Sequence, residues 1–107
     1  MTGRCPVFSN LTRVYWEDTD AGGVVYHASY VRFFERARTE WLRDRGIGQA
    51  ALREQDDCVL VVRAMEIDFL RPARLDDLLE VSVRVARLKG ASLVIAQSIT
   101  RGDEVLA

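Results

Sequence analysis

One stretch of this chain carries a sustained helical period, and that restricts the folds open to it. From Ser29 to Arg45, Tyr30, Phe34, Ala37 and Trp41 recur at spacings of four, three and four, with Val31 and Leu42 widening the stripe. Ser29 is the expected N-cap, and Gly46 stands where a left-handed C-cap belongs. Glu35, Arg36 and Glu40 fall on the other side, with Arg36 and Glu40 spaced for an i,i+4 pair. Elsewhere the pattern is that of strands. Leu11 to Glu17 carries Val14, Tyr15 and Trp16, and Val59 to Leu70 is rich in Val, Ile and Phe. Leu78 to Leu88 alternates Leu79, Val81, Val83 and Val85 against Glu80, Ser82 and Arg84, while Ser92 to Thr100 alternates Leu93, Ile95 and Ile99 against Ser98 and Thr100. Turn signals stand at Arg71-Pro72 to Asp77, at Lys89-Gly90 and at Arg101-Gly102-Asp103; the second is short enough to force an antiparallel hairpin. Gly48 and Asp56 to Asp57 bracket a short turn or half-helix, and Glu104 to Ala107 begins a further strand.

A lone helix among strands predicts an α+β domain, an antiparallel sheet wrapped around one long helix. At 107 residues, with no repeat or linker, there is room for a single domain. One helix covers one sheet face only, so the other face or an edge strand calls for a partner, and a homodimer supplies it most simply.

Fifteen basic against 16 acidic residues leave a net charge of −1, which offers no basic excess for a nucleic-acid backbone. With one His and two Cys, the chain cannot assemble a four-ligand zinc site from N and S donors alone, so no metal is expected. Cys5 and Cys58 lack the spacing of a disulfide framework and read as reduced thiols. No apolar run is long enough to span a membrane, and Met1 to Asn10 lacks the continuous apolar stretch of a secretory signal, so no membrane insertion is expected. The expected location is the cytoplasm.

The segment Glu17 to Tyr30, EDTDAGGVVYHASY, gathers carboxylates, two glycines and the single His directly ahead of the helix. A helix N-terminus presents unpaired N–H groups and a partial positive charge, which stabilise an anion or a developing oxyanion. Gly22 and Gly23 let the backbone come close to a substrate carbonyl. Asp20 can serve as nucleophile or as general base toward water, and His27 can donate a hydrogen bond or orient Asp20. That combination suits acyl transfer to water. Taken singly, each residue has a plainer reading: Asp18 and Asp20 as turn residues, His27 as a satisfied polar group, Tyr26 and Tyr30 as packing. Glu35 is a second carboxylate candidate.

Loop and helix together, EDTDAGGVVYHASYVRFFERARTEWLR, resemble the signature of hot-dog-fold acyl-CoA thioesterases, in particular the bacterial subfamily encoded with the Tol-Pal envelope system and related to 4-hydroxybenzoyl-CoA thioesterase. The matching pattern is D-x-D-x-G-x-V-x-[YH] followed by F-x-E-x-A-R, and the likeness continues through residues 61 to 81. The resemblance implies a hot-dog fold and hydrolysis of acyl-CoA without any cofactor. It implies Asp20 as the required carboxylate and His27 as the residue whose backbone N–H polarises the thioester carbonyl. Gly23 and Tyr26 match loop positions lining the thioester, Tyr30 is a further candidate for substrate binding, and Lys89, Arg71 and Arg101 are candidate phosphate contacts or else solvated charges. In relatives the site lies at a dimer interface, and dimers pair into tetramers, so a homodimer or homotetramer is implied. Relatives also continue into a last strand and tail, which implies that residues 1–107 lack that strand and that a full-length chain extends past Ala107. The natural acyl group, and whether CoA or acyl carrier protein delivers it, stay open. Two other readings share the fold: a hydratase or dehydratase of acyl thioesters, disfavoured by Asp20 in this motif, and a module that binds acyl thioesters or proteins without turnover.

Overall fold

The computed structural model describes residues 7–46, 61–90 and 92–107. Five strands and one long helix follow in the order β1 (Phe8–Arg13), α1 (His27–Asp44), β2 (Leu78–Lys89), β3 (Ser92–Ala96), β4 (Ile99–Arg101) and β5 (Glu104–Val105), with a short 3-10 turn at Trp16–Asp18. All strand pairs are antiparallel; β2 lies centrally, flanked by β1 on one side and by β3 and then β4 on the other, and β5 pairs with β4. The α+β, helix-on-sheet arrangement matches the hot-dog expectation.

The alternation in β2 decides which face is covered. Leu79, Val81 and Val83 are fully buried, whereas Glu80 and Arg84 are exposed. Against that face lies the helix stripe, where Tyr30, Phe34, Ala37, Trp41 and Leu42 are all buried. Phe33 joins them at 1% exposure, a core residue outside the 4-3-4 spacing because the stripe is broader than one row of side chains. Gly46 has φ +75 just beyond the helix and Gly90 φ +57 in the β2–β3 turn, as a left-handed cap and a tight hairpin require. Gly102, φ +59, turns β4 into β5.

Five expectations are corrected. The first strand runs Phe8–Arg13 rather than Leu11 to Glu17, because Val14 leaves the ladder to bond Asp77 and the chain then enters the 3-10 turn with Trp16 77% exposed. The helix starts at His27, with Tyr26 as N-cap in extended conformation and no side-chain cap; Ser29, the expected cap, lies inside the first turn. The strand expected over Ser92 to Thr100 is split at Gln97 and Ser98. Ser98 donates its N–H to the Ser82 hydroxyl at 3.0 Å, and Gln97 turns to the helix, donating to the Phe34 carbonyl and accepting from Arg38. Finally, residues 61 to 70 form no strand: among the described residues, the ladder-like bond of this segment is that of Leu70 N–H to Leu106 O. Val61, Val62, Met65, Phe69 and Leu70 are all exposed there. The helical ion pair of Glu40 is with Arg43, not Arg36. Cys5, Cys58, Gly48 and the Asp56 to Asp57 turn lie outside the described residues.

Candidate active site

The loop ahead of α1 is a small hairpin of its own. Thr19 and Val25 form an isolated antiparallel bridge, the Asp20 N–H bonds the Val24 carbonyl at 2.9 Å, and the Gly23 N–H returns to the Asp20 carbonyl at 3.0 Å. Gly23 has φ +80, which an L side chain rarely adopts. Gly22 serves by being small, since a Cβ there would stand 3.2 Å from Asp20 Oδ1. The same oxygen accepts the Gly22 N–H at 2.8 Å. Asp20 is exposed, and among the described residues its Oδ2 has no protein donor. The carboxylate is therefore held on one side and open on the other.

At the other arm of the hairpin the helix begins. The Tyr26 N–H is taken by the Asp18 carbonyl at 3.0 Å and the Ser29 N–H by the Tyr26 carbonyl at 2.8 Å. Between them the N–H groups of His27 and Ala28 meet no acceptor among the described residues. These are the orphan donors of a helix start, and they emerge on the same hairpin as Asp20. The His27 ring is exposed and rests on Tyr26, 4.3 Å between centroids, with Phe69 edge-on at 6.3 Å. The second arm is also tied to the far loop, where the Val25 N–H bonds the Ala73 carbonyl at 2.8 Å and Val24 bridges Arg74.

The sequence-predicted residues do not all meet. Asp20, Gly23, Tyr26 and His27 share the hairpin and its junction with α1. Tyr30 lies just below, 4% exposed, and its hydroxyl accepts the Ala73 N–H at 3.0 Å. Lys89 is exposed at the end of β2 opposite Leu78, which stands near the loop; eleven residue steps put it roughly 35 Å away along the strand. One chain does not bring it to the hairpin. Arg71 and Arg101 are engaged in ion pairs, Arg71 with Glu104 at 2.8 Å and Arg101 with Asp77 at 2.6 Å and Glu104 at 3.0 Å. Hydrogen bonds from Arg71 and then Arg101 hold the Glu104 carboxyl below its usual range. Burial pushes the Asp77 carboxyl up, but the Arg74 N–H and the Arg101 guanidinium outweigh it and leave it lowered. Glu35 accepts the Thr39 hydroxyl at 2.6 Å on the exposed side of α1.

Phe69, which meets the His27 ring edge-on and lies tilted against Tyr30 at 5.4 Å, escaped sequence reasoning. Its only signal was its place in a hydrophobic run, which does not reveal that the run returns to the helix start. No group of three or more His, Cys, Asp or Glu able to hold a metal is found among the described residues, and no helix there is long and apolar enough to cross a membrane.

A hairpin carrying an open carboxylate beside unpaired helix N–H groups is one arrangement among several folds, but here the sequence from Gly22 onward belongs to a known family. Residues 22–107 match the family model of the thioesterase superfamily. The chain belongs to the thioesterase superfamily. Among curated relatives of this thioesterase, the acyl-CoA thioester hydrolase YbgC of Escherichia coli O6:H1 strain CFT073 is 52% identical over 94 residues, 88% of this chain and 69% of that one. The acyl-CoA thioesterase YbgC of Haemophilus influenzae is 49% identical over 100 residues, covering 94% and 74%. A solved structure, a probable thioesterase from Bartonella henselae, superposes with a TM-score of 0.89 at 45% identity, covering 94% of this chain and 84% of that one.

Proposed function

We propose that this thioesterase hydrolyses acyl-CoA thioesters to the free acid and CoA at the Asp20 hairpin. The observation that carries the reading is the pairing of an exposed Asp20 carboxylate, open at Oδ2, with the unpaired His27 and Ala28 N–H groups at the start of α1. The likeness to relatives named acyl-CoA thioester hydrolases supports the substrate class.

The thioester oxygen sits at the helix start, where the His27 N–H receives the charge that develops as the carbonyl becomes tetrahedral. Asp20 either adds to that carbon itself or removes a proton from the water that does. Collapse of the oxyanion expels the CoA thiolate, which takes up a proton from solvent or from the acid formed. If Asp20 adds directly, a mixed anhydride results and water then hydrolyses it. Gly23 and Tyr26 flank the reacting group, and Tyr30 forms the floor on which they rest. The exposed apolar residues of 61 to 70 suit burial against a second copy, which fits a homodimer or a tetramer of dimers in the cytoplasm. Lys89 then contacts the nucleotide phosphates only if it comes from another subunit. Acyl carrier protein is an alternative carrier of the same thioester.

One observation favours a second reading, a module that binds acyl thioesters without turnover: Asp20 accepts from Gly22 as an ordinary turn residue does. Thiol release from short, long and aromatic acyl-CoAs separates the two, with Asp20→Asn as the control. Turnover that Asp20→Asn abolishes while acyl-CoA still binds is the expected result. Binding without thiol release, or a fully active Asp20→Asn, overturns the proposal. Incorporation of oxygen-18 from water into Asp20 during one turnover marks an anhydride opened by water at the Asp20 carbonyl.

A further inference from the structure

Asp18 is a buried carboxylate for which the proposed chemistry has no use. Its side chain is 3% exposed, although Asp is among the residues least often buried. Oδ2 accepts the Tyr15 N–H at 2.9 Å. Oδ1 accepts no hydrogen bond, and the group facing it is Arg32 Nη2 at 3.6 Å, a charge contact rather than a hydrogen bond. Arg32 in turn donates to the Ser29 hydroxyl at 2.8 Å, and that hydroxyl donates to the Asp18 carbonyl at 3.2 Å. The circuit closes on itself: Asp18 carboxylate, Arg32 guanidinium, Ser29 hydroxyl, Asp18 carbonyl. The same carbonyl also takes the Tyr26 N–H at 3.0 Å.

Two links of this circuit, Arg32 to the Asp18 carboxylate and the Ser29 hydroxyl to the Asp18 carbonyl, join the chain ahead of the hairpin to α1, and the third ties Arg32 to Ser29 within the helix. Asp18 lies two residues before Asp20. Tyr26 is the N-cap, and Ser29 and Arg32 sit on successive turns of α1. A buried carboxylate with one unsatisfied oxygen is costly unless an opposite charge stays near it, so Arg32, half-exposed at 48%, is held in place by what it neutralises. If the carboxylate lost its partner, the Asp18 peptide would shift, moving Asp20 relative to the His27 N–H.

Resting on the thioesterase reading, the geometry points to Asp18 and Arg32 as a pair of positioning residues that fix the spacing between the Asp20 carboxylate and the N–H groups at the helix start. Neither touches the thioester. The pair acts on the rate of the chemical step and not on substrate affinity, because displaced reacting groups lose near-attack geometry while the remote contacts to CoA persist.

The test is steady-state thiol release from the acyl-CoA that the wild type turns over fastest, for Asp18→Asn, Arg32→Gln, Arg32→Lys and the Asp18→Asn/Arg32→Gln double variant. Each of the first two is expected to lower kcat by about tenfold or more, as a displacement of up to an ångström does, with KM changed by less than about twofold. Arg32→Lys recovers part of the loss, and the double variant is no slower than Asp18→Asn alone, since both remove one circuit. Wild-type kcat in Asp18→Asn and Arg32→Gln, or losses that multiply in the double variant, overturn the assignment. Arg32 is half-exposed, so its variants answer the question even if Asp18→Asn does not fold. Amide hydrogen exchange gives a reading independent of activity: Arg32→Gln speeds exchange at Tyr15 and Tyr26, whose N–H groups both bond Asp18, and unchanged protection refutes the clamp. A wild type that releases no thiol sinks the hydrolase reading alone, while the exchange data still decide the clamp.

Discussion

The two adjacent glycines of the hairpin do different work, and exchanging each for alanine separates stability from catalysis. At Gly23 an added Cβ meets nothing within 4 Å, but the residue sits at φ +80. An L residue held there costs about 1 to 2 kcal/mol. Restricting the unfolded chain returns about 0.4 to 1 kcal/mol. The net loss is about 0.8 kcal/mol, and at about 4 to 8 °C per kcal/mol for a domain near this size Tm falls by about 3 to 6 °C. At Gly22 the backbone is not left-handed, but the Cβ stands 3.2 Å from Asp20 Oδ1, so the carboxylate must give by a few tenths of an ångström. If a 1 Å misplacement costs about a hundredfold, that movement lowers kcat by about four- to tenfold with little effect on Tm. Circular-dichroism melts and thiol-release kinetics on both variants give the four numbers. The reasoning is refuted if Gly22→Ala keeps wild-type kcat, or if its effect is all in Tm and Gly23→Ala melts like the wild type.

Three further outcomes follow from single contacts. Tyr30→Phe strands the buried Ala73 N–H that its hydroxyl now accepts at 3.0 Å, so stability falls by about 1 to 3 kcal/mol in urea unfolding while KM for acyl-CoA holds; a raised KM with unchanged stability assigns Tyr30 to the substrate instead. Phe33→Ala, at a core position 1% exposed, destabilises by about 3 to 5 kcal/mol, and a Tm within a few degrees of the wild type contradicts the described core. The Arg101 cluster makes the fold acid-sensitive. The carboxyls of Asp77 and Glu104 are lowered in the folded state, so their contribution is complete above the unfolded carboxylate values near 4 and is lost as pH falls through the lower folded ones. Melts from pH 6 down to 3 are expected to show this loss in the wild type and a flatter profile in Arg101→Met; identical slopes dismiss the cluster as a source of acid sensitivity.

What the sequence made legible follows from which forces act locally. The 4-3-4 stripe and the strict alternation of β2 record burial on one face, a signal written residue by residue, and both were readable without neighbours. Glycine turns were readable for the same reason, because a positive φ leaves a compositional mark. The helix cap stands three residues ahead of the expected Ser29 because the hydroxyl that was to accept a backbone N–H there is used elsewhere: it reaches back eleven residues to donate to the Asp18 carbonyl, a tertiary contact with no local signature. The break at Gln97 and Ser98 has a similar origin, since Gln97 is drawn to the Phe34 carbonyl of α1 rather than to the ladder.

Residues 61 to 70 show the limit most clearly, because composition alone made them a strand while the chain supplies them with no ladder among the described residues. A strand propensity is a statement about a surface waiting for a partner, and the five exposed apolar side chains there meet none among the described residues. The candidate site divides along the same line. Asp20, Gly23, Tyr26 and His27 stand out as candidates because they lie close together in sequence, but the charge proposed to steady them comes from Asp18 and Arg32, fourteen residues apart and meaningful only once the hairpin has folded the loop onto the helix. Local pattern names the candidate groups; the geometry that would let them act together is a property of the fold, and Arg32→Gln is the substitution that separates the two.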